Sequence, residues 1–121
     1  MRIELENRLI SFSVAIIELS RKLEQTLAGR NMSFQIIKSS TSCALNYGEA
    51  QCAQSKRDFI HKISIVVKEL KETQINLSII QQAQLSKSIG SQEDIMKECS
   101  ELIAIFTQTV KTAKRNLITN N

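Results

Sequence analysis

Apolar side chains recur along this chain at alternating intervals of four and three residues, the spacing that keeps them on one face of an α-helix. Leu5, Leu9, Phe12, Ile16, Leu19, Leu23 and Leu27 form the first such row and predict a helix over about residues 4–28. Gly29-Arg30-Asn31 follows, with glycine and asparagine suited to a left-handed cap. Ser33 then reads as the N-cap of a second helix reaching to about Ala53. Its inner face is Ile36, Ile37, Ser40, Cys43, Ala44, Tyr47 and Ala50, mostly small side chains that let a neighbour approach closely. Ser55-Lys56-Arg57-Asp58 is a capping box with aspartate in place of glutamate. It opens a third helix to about Leu85, built on Phe59, Ile63, Val66, Leu70, Thr73, Leu77 and Ile80. The segment Ser86 to Gly90 is the next break, and Ser91 with Asp94 repeats the capping signature. A last helix carries Ile95, Cys99, Leu102, Phe106, Val110, Ala113 and Leu117 inward, and Thr119-Asn120-Asn121 reads as a frayed end.

Four amphipathic helices on short connections predict an all-α fold, an antiparallel up-down-up-down four-helix bundle forming one domain over residues 1–121. The heptad-like spacing favours near-parallel axes. Composition agrees: the 121 residues contain no proline and only three glycines, so little interrupts a helix. Three cysteines, an odd number, and an opening Met1-Arg2-Ile3-Glu4-Leu5-Glu6 too charged for a secretory leader point to the cytoplasm. No apolar run approaches the roughly 18 residues that a membrane span needs.

The middle of the chain carries more than periodicity. Lys38-Ser39-Ser40-Thr41-Ser42, Asn46-Tyr47-Gly48-Glu49-Ala50, Ser55-Lys56-Arg57-Asp58-Phe59-Ile60-His61-Lys62 and Lys68-Glu69-Leu70-Lys71-Glu72-Thr73 resemble the signature of the bacterial 23S rRNA intervening-sequence protein family. Asn7-Arg8-Leu9-Ile10-Ser11-Phe12 is similar to that family's opening helix, so the resemblance covers most of residues 7–80. Gly48 and Cys43 depart from its pattern, standing where alanine and isoleucine are expected. The resemblance implies a four-helix bundle in a cyclic homo-oligomer, a pentamer, with no catalytic activity attached.

Catalytic chemistry is poorly provided for. Asp58-x-x-His61 has the spacing of a di-iron bundle motif, but such sites need two motifs and further inward carboxylates, and His61 is the sole histidine. Cys43 and Cys52 point to opposite sides of one helix and cannot share a metal. No serine or cysteine has a base and an orienting acid beside it. The expectation is a protein that is not an enzyme, with no metal, no cofactor and no small-molecule substrate. Asn46, Glu49, Lys68, Glu69 and Glu72 read as a polar network that fixes helix register in preference to a ligand site.

Assembly leaves a clearer trace. At about 100° per residue, Ile3, Ile10, Val14 and Ile17 gather roughly 140° from the core row of the first helix. Phe34, Leu45 and Cys52, with Thr41 and Gly48, lie opposite the core face of the second, which carries only Lys38 and Glu49 as charges between Met32 and Ala53. Helices with two apolar sides need a second apolar neighbour, so these residues are the candidate oligomer interface. Charge is uneven too. One bundle end collects Arg2, Arg8, Lys56, Arg57, Lys62, Lys111, Lys114 and Arg115, eight positive charges, against Glu4, Glu6, Glu49 and Asp58. Eight minus four equals the chain's whole net charge of +4. That end is the candidate nucleic-acid contact, to RNA or DNA, although cations there also complement helix C-termini. With no tryptophan, one tyrosine and four phenylalanines, contact with the backbone is favoured over base stacking. The sequence thus supports a homo-oligomeric bundle that touches nucleic acid through a basic end, or alternatively a protein–protein scaffold.

Overall fold

The computed structural model, which describes residues 2–87 and 89–119, holds four α-helices: α1 (Arg2–Ser20), α2 (Leu27–Gln51), α3 (Lys56–Gln82) and α4 (Ile89–Thr119). Among the described residues there is no strand, only one isolated bridge between Leu23 and Ser86. Each helix packs on its chain neighbours, and α4 closes against α1 in the sparsest seam of the four. Contacts step in opposite directions along each pair. The Ser13 hydroxyl donates to the Ser40 carbonyl and that of Ser33 to Ser20, so α1 and α2 run antiparallel. Ser39 meets Thr73 while Glu49 meets Lys62, which gives the same sense for α2 and α3.

The predicted inner rows make the core. Leu9, Phe12, Ile16 and Leu19 of α1 meet Ile36 and Cys43 of α2, Ile63, Val66, Leu70, Leu77 and Ile80 of α3, and Cys99, Leu102 and Phe106 of α4. Tyr47 sets its ring edge-on to Phe106, with centroids 5.3 Å apart and planes at 67°, the arrangement that ring quadrupoles favour. Ser39 and Thr73 hydroxyls pair inside the core, 2.7 Å apart, and the Cys99 thiol donates to the Leu70 carbonyl at 3.3 Å, whereas the buried Gln92 Oε1 has no hydrogen-bond partner. Phe59 is only half-buried and packs against the edge of this core.

The helix boundaries differ from the sequence pattern at the two ends nearest the α1–α2 turn. α1 stops at Ser20, well before the expected Ala28. Leu23 keeps its buried place in the row, yet it does so by bridging to Ser86, and the Glu24 amide donates to the Leu85 carbonyl at 2.9 Å. Leu27 is no core residue: it opens α2 and is 80% exposed. The cap of α2 is Thr26, whose hydroxyl accepts from the Gly29 amide at 3.1 Å, while Ser33 lies inside the helix. Gly29 is therefore not a C-cap. Its Cα faces the Glu24 backbone so closely that an added Cβ would overlap the Glu24 carbonyl. Gly29→Ala should thus destabilise the protein by about 1–3 kcal/mol, the ordinary cost of forcing a backbone apart. Gly48, with open space where a Cβ would sit, should gain about 0.5–1 kcal/mol as alanine, and paired chemical melts check both. Equal melts for the two variants would contradict the close approach.

The other caps are mixed. Ser55 caps α3 as expected, accepting from the Asp58 amide at 3.0 Å, but Asp58 returns the bond to Gln54 and not to the cap itself. α3 ends at Gln82 in a Schellman turn, with Gln84 at φ 55° and its amide bonded to Gln81, and the Leu85 amide bonded to Ile80. α4 begins at Ile89, so Ser91 lies within the helix and does not cap it. Asn120 and Asn121, expected to fray, lie outside the described residues, as does Ser88 in the α3–α4 turn.

Candidate functional site

The second apolar side expected of α1 and α2 is open to solvent. Ile3 is 68% exposed, Val14 51%, Phe34 67% and Leu45 66%. Ile10 and Cys52 are exposed as well, and Ile17 is half-buried. On α2 the row runs 34, 38, 41, 45, 48, 52 in steps of four and three, so it forms one stripe along the outer face. The antiparallel pairing sets Ser13 against Ser40, which brings Ile10 and Val14 level with the Lys38–Leu45 stretch. The two stripes are thereby neighbours along the same part of the bundle. Ile75 and Ile79 on α3, 60% and 45% exposed, were hidden in the sequence because their neighbours Lys71, Glu72 and Gln74 make that face look solvated.

The basic group is brought together only in part. Lys56 shares a cleft with Ala113 and Asn116, which places the start of α3 beside the finish of α4. Lys56, Arg57, Lys111, Lys114 and Arg115 are all exposed in that region. Lys62 is there too, but its ammonium is bonded to Glu49 at 2.6 Å. Arg8 does not belong to the group. Its guanidinium grips both oxygens of Glu98, at 3.0 and 2.5 Å, with Glu101 at 3.7 Å. The thirteen residues from Glu98 to Lys111 put it roughly 20 Å from the cluster at about 1.5 Å of rise per residue. The expectation assumed helices flush at their ends, whereas α1 has 19 residues and α4 has 31. The side chain of Arg2 lies outside the described residues.

The polar group between α2 and α3 divides as well. Asn46 donates to Ser42 within its own helix, and Glu49 turns to Lys62. Glu69 remains, its carboxyl pushed above the ordinary glutamate range, first by burial and then by the charge of Glu72, against the pull of Lys68 and Lys38. A folded-state value above the unfolded one means that the native protein holds this proton more tightly. The stability it contributes is present at low pH and is lost as pH rises through the raised value. Glu69→Gln fixes the neutral form and should raise the melting temperature at pH 7 while leaving it unchanged below the ordinary glutamate range. A lower melting temperature at pH 7 would show that the charged form is the one the fold uses.

Metal chemistry finds no donor set, since no three His, Cys, Asp or Glu side chains converge among the described residues. His61 is exposed, and Asp58 is engaged at the α3 cap. Cys43 and Cys99 are buried, and burial pushes both thiols up, that of Cys99 to about 12. Among the described residues no helix is long and apolar enough to cross a membrane.

Comparison with known proteins gives a family match and matches to solved structures. Residues 2–108 match the family described as 23S rRNA-intervening sequence protein. A solved structure, that of a protein with unknown function from the S23 ribosomal protein family of Bacteroides thetaiotaomicron, superposes with a TM-score of 0.82 at 29% identity. The match covers 92% of this chain and 99% of that one. No curated protein matches.

Proposed function

Because this chain belongs to the 23S rRNA-intervening sequence protein family, we propose that it acts through self-assembly, as a non-enzymatic homo-oligomer whose joined subunits present basic surface to a nucleic-acid backbone. The observation that carries the reading is the run of exposed apolar side chains on α1 and α2, with Ile3, Phe34 and Leu45 each about two-thirds open to water. A lone subunit does not fold better for displaying them, and burying them against a copy removes apolar surface from water. A closed ring is a heterologous assembly, so each subunit needs two different patches. Ile75 and Ile79 on α3 supply the second, and five subunits is the number the family resemblance implies. Three free cysteines suit the reducing cytoplasm as its place of work.

The nucleic-acid half follows from charge. Lys56, Arg57, Lys111 and Lys114 lie exposed around one end, and assembly multiplies their field with subunit number. A filter-binding titration against structured RNA and duplex DNA at two salt concentrations tests it: binding should be steeply salt-dependent and indifferent to sequence. A second reading, a scaffold for another protein, is favoured by the pairing of Arg8 and Lys62 with acids, which withdraws two of the eight expected cations. Absence of binding at low salt by an intact oligomer selects the scaffold.

A further inference from the structure

A groove on the α3–α4 flank carries charge that the fold does not use. Val67 of α3 and Val110 of α4 line its floor, Lys71 stands on one side, and Lys111 and Lys114 stand on the other, around a volume of about 260 Å³. Thr107 adds a hydroxyl; that of Ser64 is committed to the Ile60 carbonyl at 2.7 Å. None of the three lysines is in an ion pair among the described residues, where Arg8, Arg21 and Lys62 take the acids.

The sequence shows why no acid reaches Lys111 and Lys114, while Lys71, between Glu69 and Glu72 in the chain, pairs with neither among the described residues. No Asp or Glu occurs between Asp58 and Glu69, and none follows Glu101. These two acid-free stretches pack together, since Phe59 lines a cleft with Ala113 and Val67 lines the groove with Val110. Like charges at neighbouring helix positions repel, so Lys111 and Lys114 cost the helix stability. The helix dipole does not compensate them. Its effect fades within the last turn, and the last turn of α4 contains no basic residue.

We propose that this groove binds successive phosphates of a nucleic-acid strand, Lys71 taking one and Lys111 with Lys114 the next. The proposal rests on the nucleic-acid reading above and moves its centre from the end of the bundle to the α3–α4 flank, adding Lys71. The seven residues from Thr107 to Lys114 rise about 10 Å, against about 3.4 Å of helix axis per phosphate of one duplex strand, so more than one phosphate can lie along the groove. An open groove of that length fits a chain of phosphates better than a single ion. It lies on α3 and α4, away from the apolar stripes of α1 and α2, and Lys71 stands one helical turn from Ile75, so the groove runs up to the edge of the second assembly patch.

The test is filter binding of labelled mixed-sequence RNA, single-stranded and duplex, at about 50 and about 200 mM salt. Lys71→Gln/Lys111→Gln/Lys114→Gln is compared with the unmodified protein and with a charge-matched control, Lys22→Gln/Lys87→Gln/Lys97→Gln. The groove variant should bind about tenfold more weakly at low salt, with the log–log salt slope reduced by about 2–3. The control should change much less, and unchanged melting of all proteins confirms the fold. Lys71→Gln alone, far from the Lys56–Arg57 end, should already weaken binding. Equal losses in groove variant and control, or a loss confined to Lys56→Gln/Arg57→Gln, overturn the groove and leave the nucleic-acid reading standing. No binding by the unmodified protein overturns both. Inorganic phosphate is the competitor: displacement of RNA only at high phosphate supports a strand, and displacement at trace phosphate overturns it in favour of a free-phosphate site.

Discussion

Leu70→Ala should lower the stability of the fold by about 2–5 kcal/mol, the range for deleting a fully buried leucine side chain. Leu70 sits mid-way along α3 with no exposed surface, in the same cluster as Leu23 and Phe106. Its own carbonyl accepts the Cys99 thiol, so the α3–α4 seam closes at this residue. Truncation leaves a cavity in a close-packed core that four helices can collapse into only in part. Lys71→Ala, one residue on and exposed, should change stability by less than about 0.5 kcal/mol. Urea unfolding of the two variants reads the difference, and similar midpoints would mean that α3 is rotated from the register described.

The second large effect concerns assembly. Ile10→Glu or Val14→Glu should split the oligomer into folded single subunits, because a carboxylate facing an apolar partner must be buried without a counter-charge. Both positions are exposed in the isolated subunit, so the helix itself tolerates the change and circular dichroism should keep its helical amplitude. A chemical readout comes with it. Cys52 is the exposed thiol on the α2 stripe, while Cys43 and Cys99 are buried and held protonated. A thiol reagent should therefore label Cys52 slowly in the assembly and fast in the dissociated variant. Fast labelling in both would place the interface elsewhere.

Most of the fold was legible because packing follows the four-three rhythm. The inner rows of α2, α3 and α4 are buried or half-buried as the spacing required, and the Ser55 cap stands where expected. The α1–α2 turn was not legible, for a specific reason. Leu23 continues the rhythm into a segment that is no longer helical, and its burial comes from a bridge to Ser86, sixty-three residues away. Gly29 looked like a stop because glycine often is one; here it is required by the closeness of the Glu24 backbone. The candidate surfaces divide along the same line. The apolar stripes depend on one helix at a time and were readable. The grouping of Arg8 with Lys111 depended on helix lengths and offsets, and it failed. The α3–α4 groove depends on which parts of the two helices lie side by side, which only the packing reveals.

Light scattering of the purified protein coupled to size-exclusion chromatography tests the central claim of self-assembly most directly. A single subunit has a mass of 13.7 kDa. One species is expected at two or more times that mass, a whole-number multiple, persisting on dilution and collapsing to one subunit in Val14→Glu. A species of 13.7 kDa from the unmodified protein would contradict it.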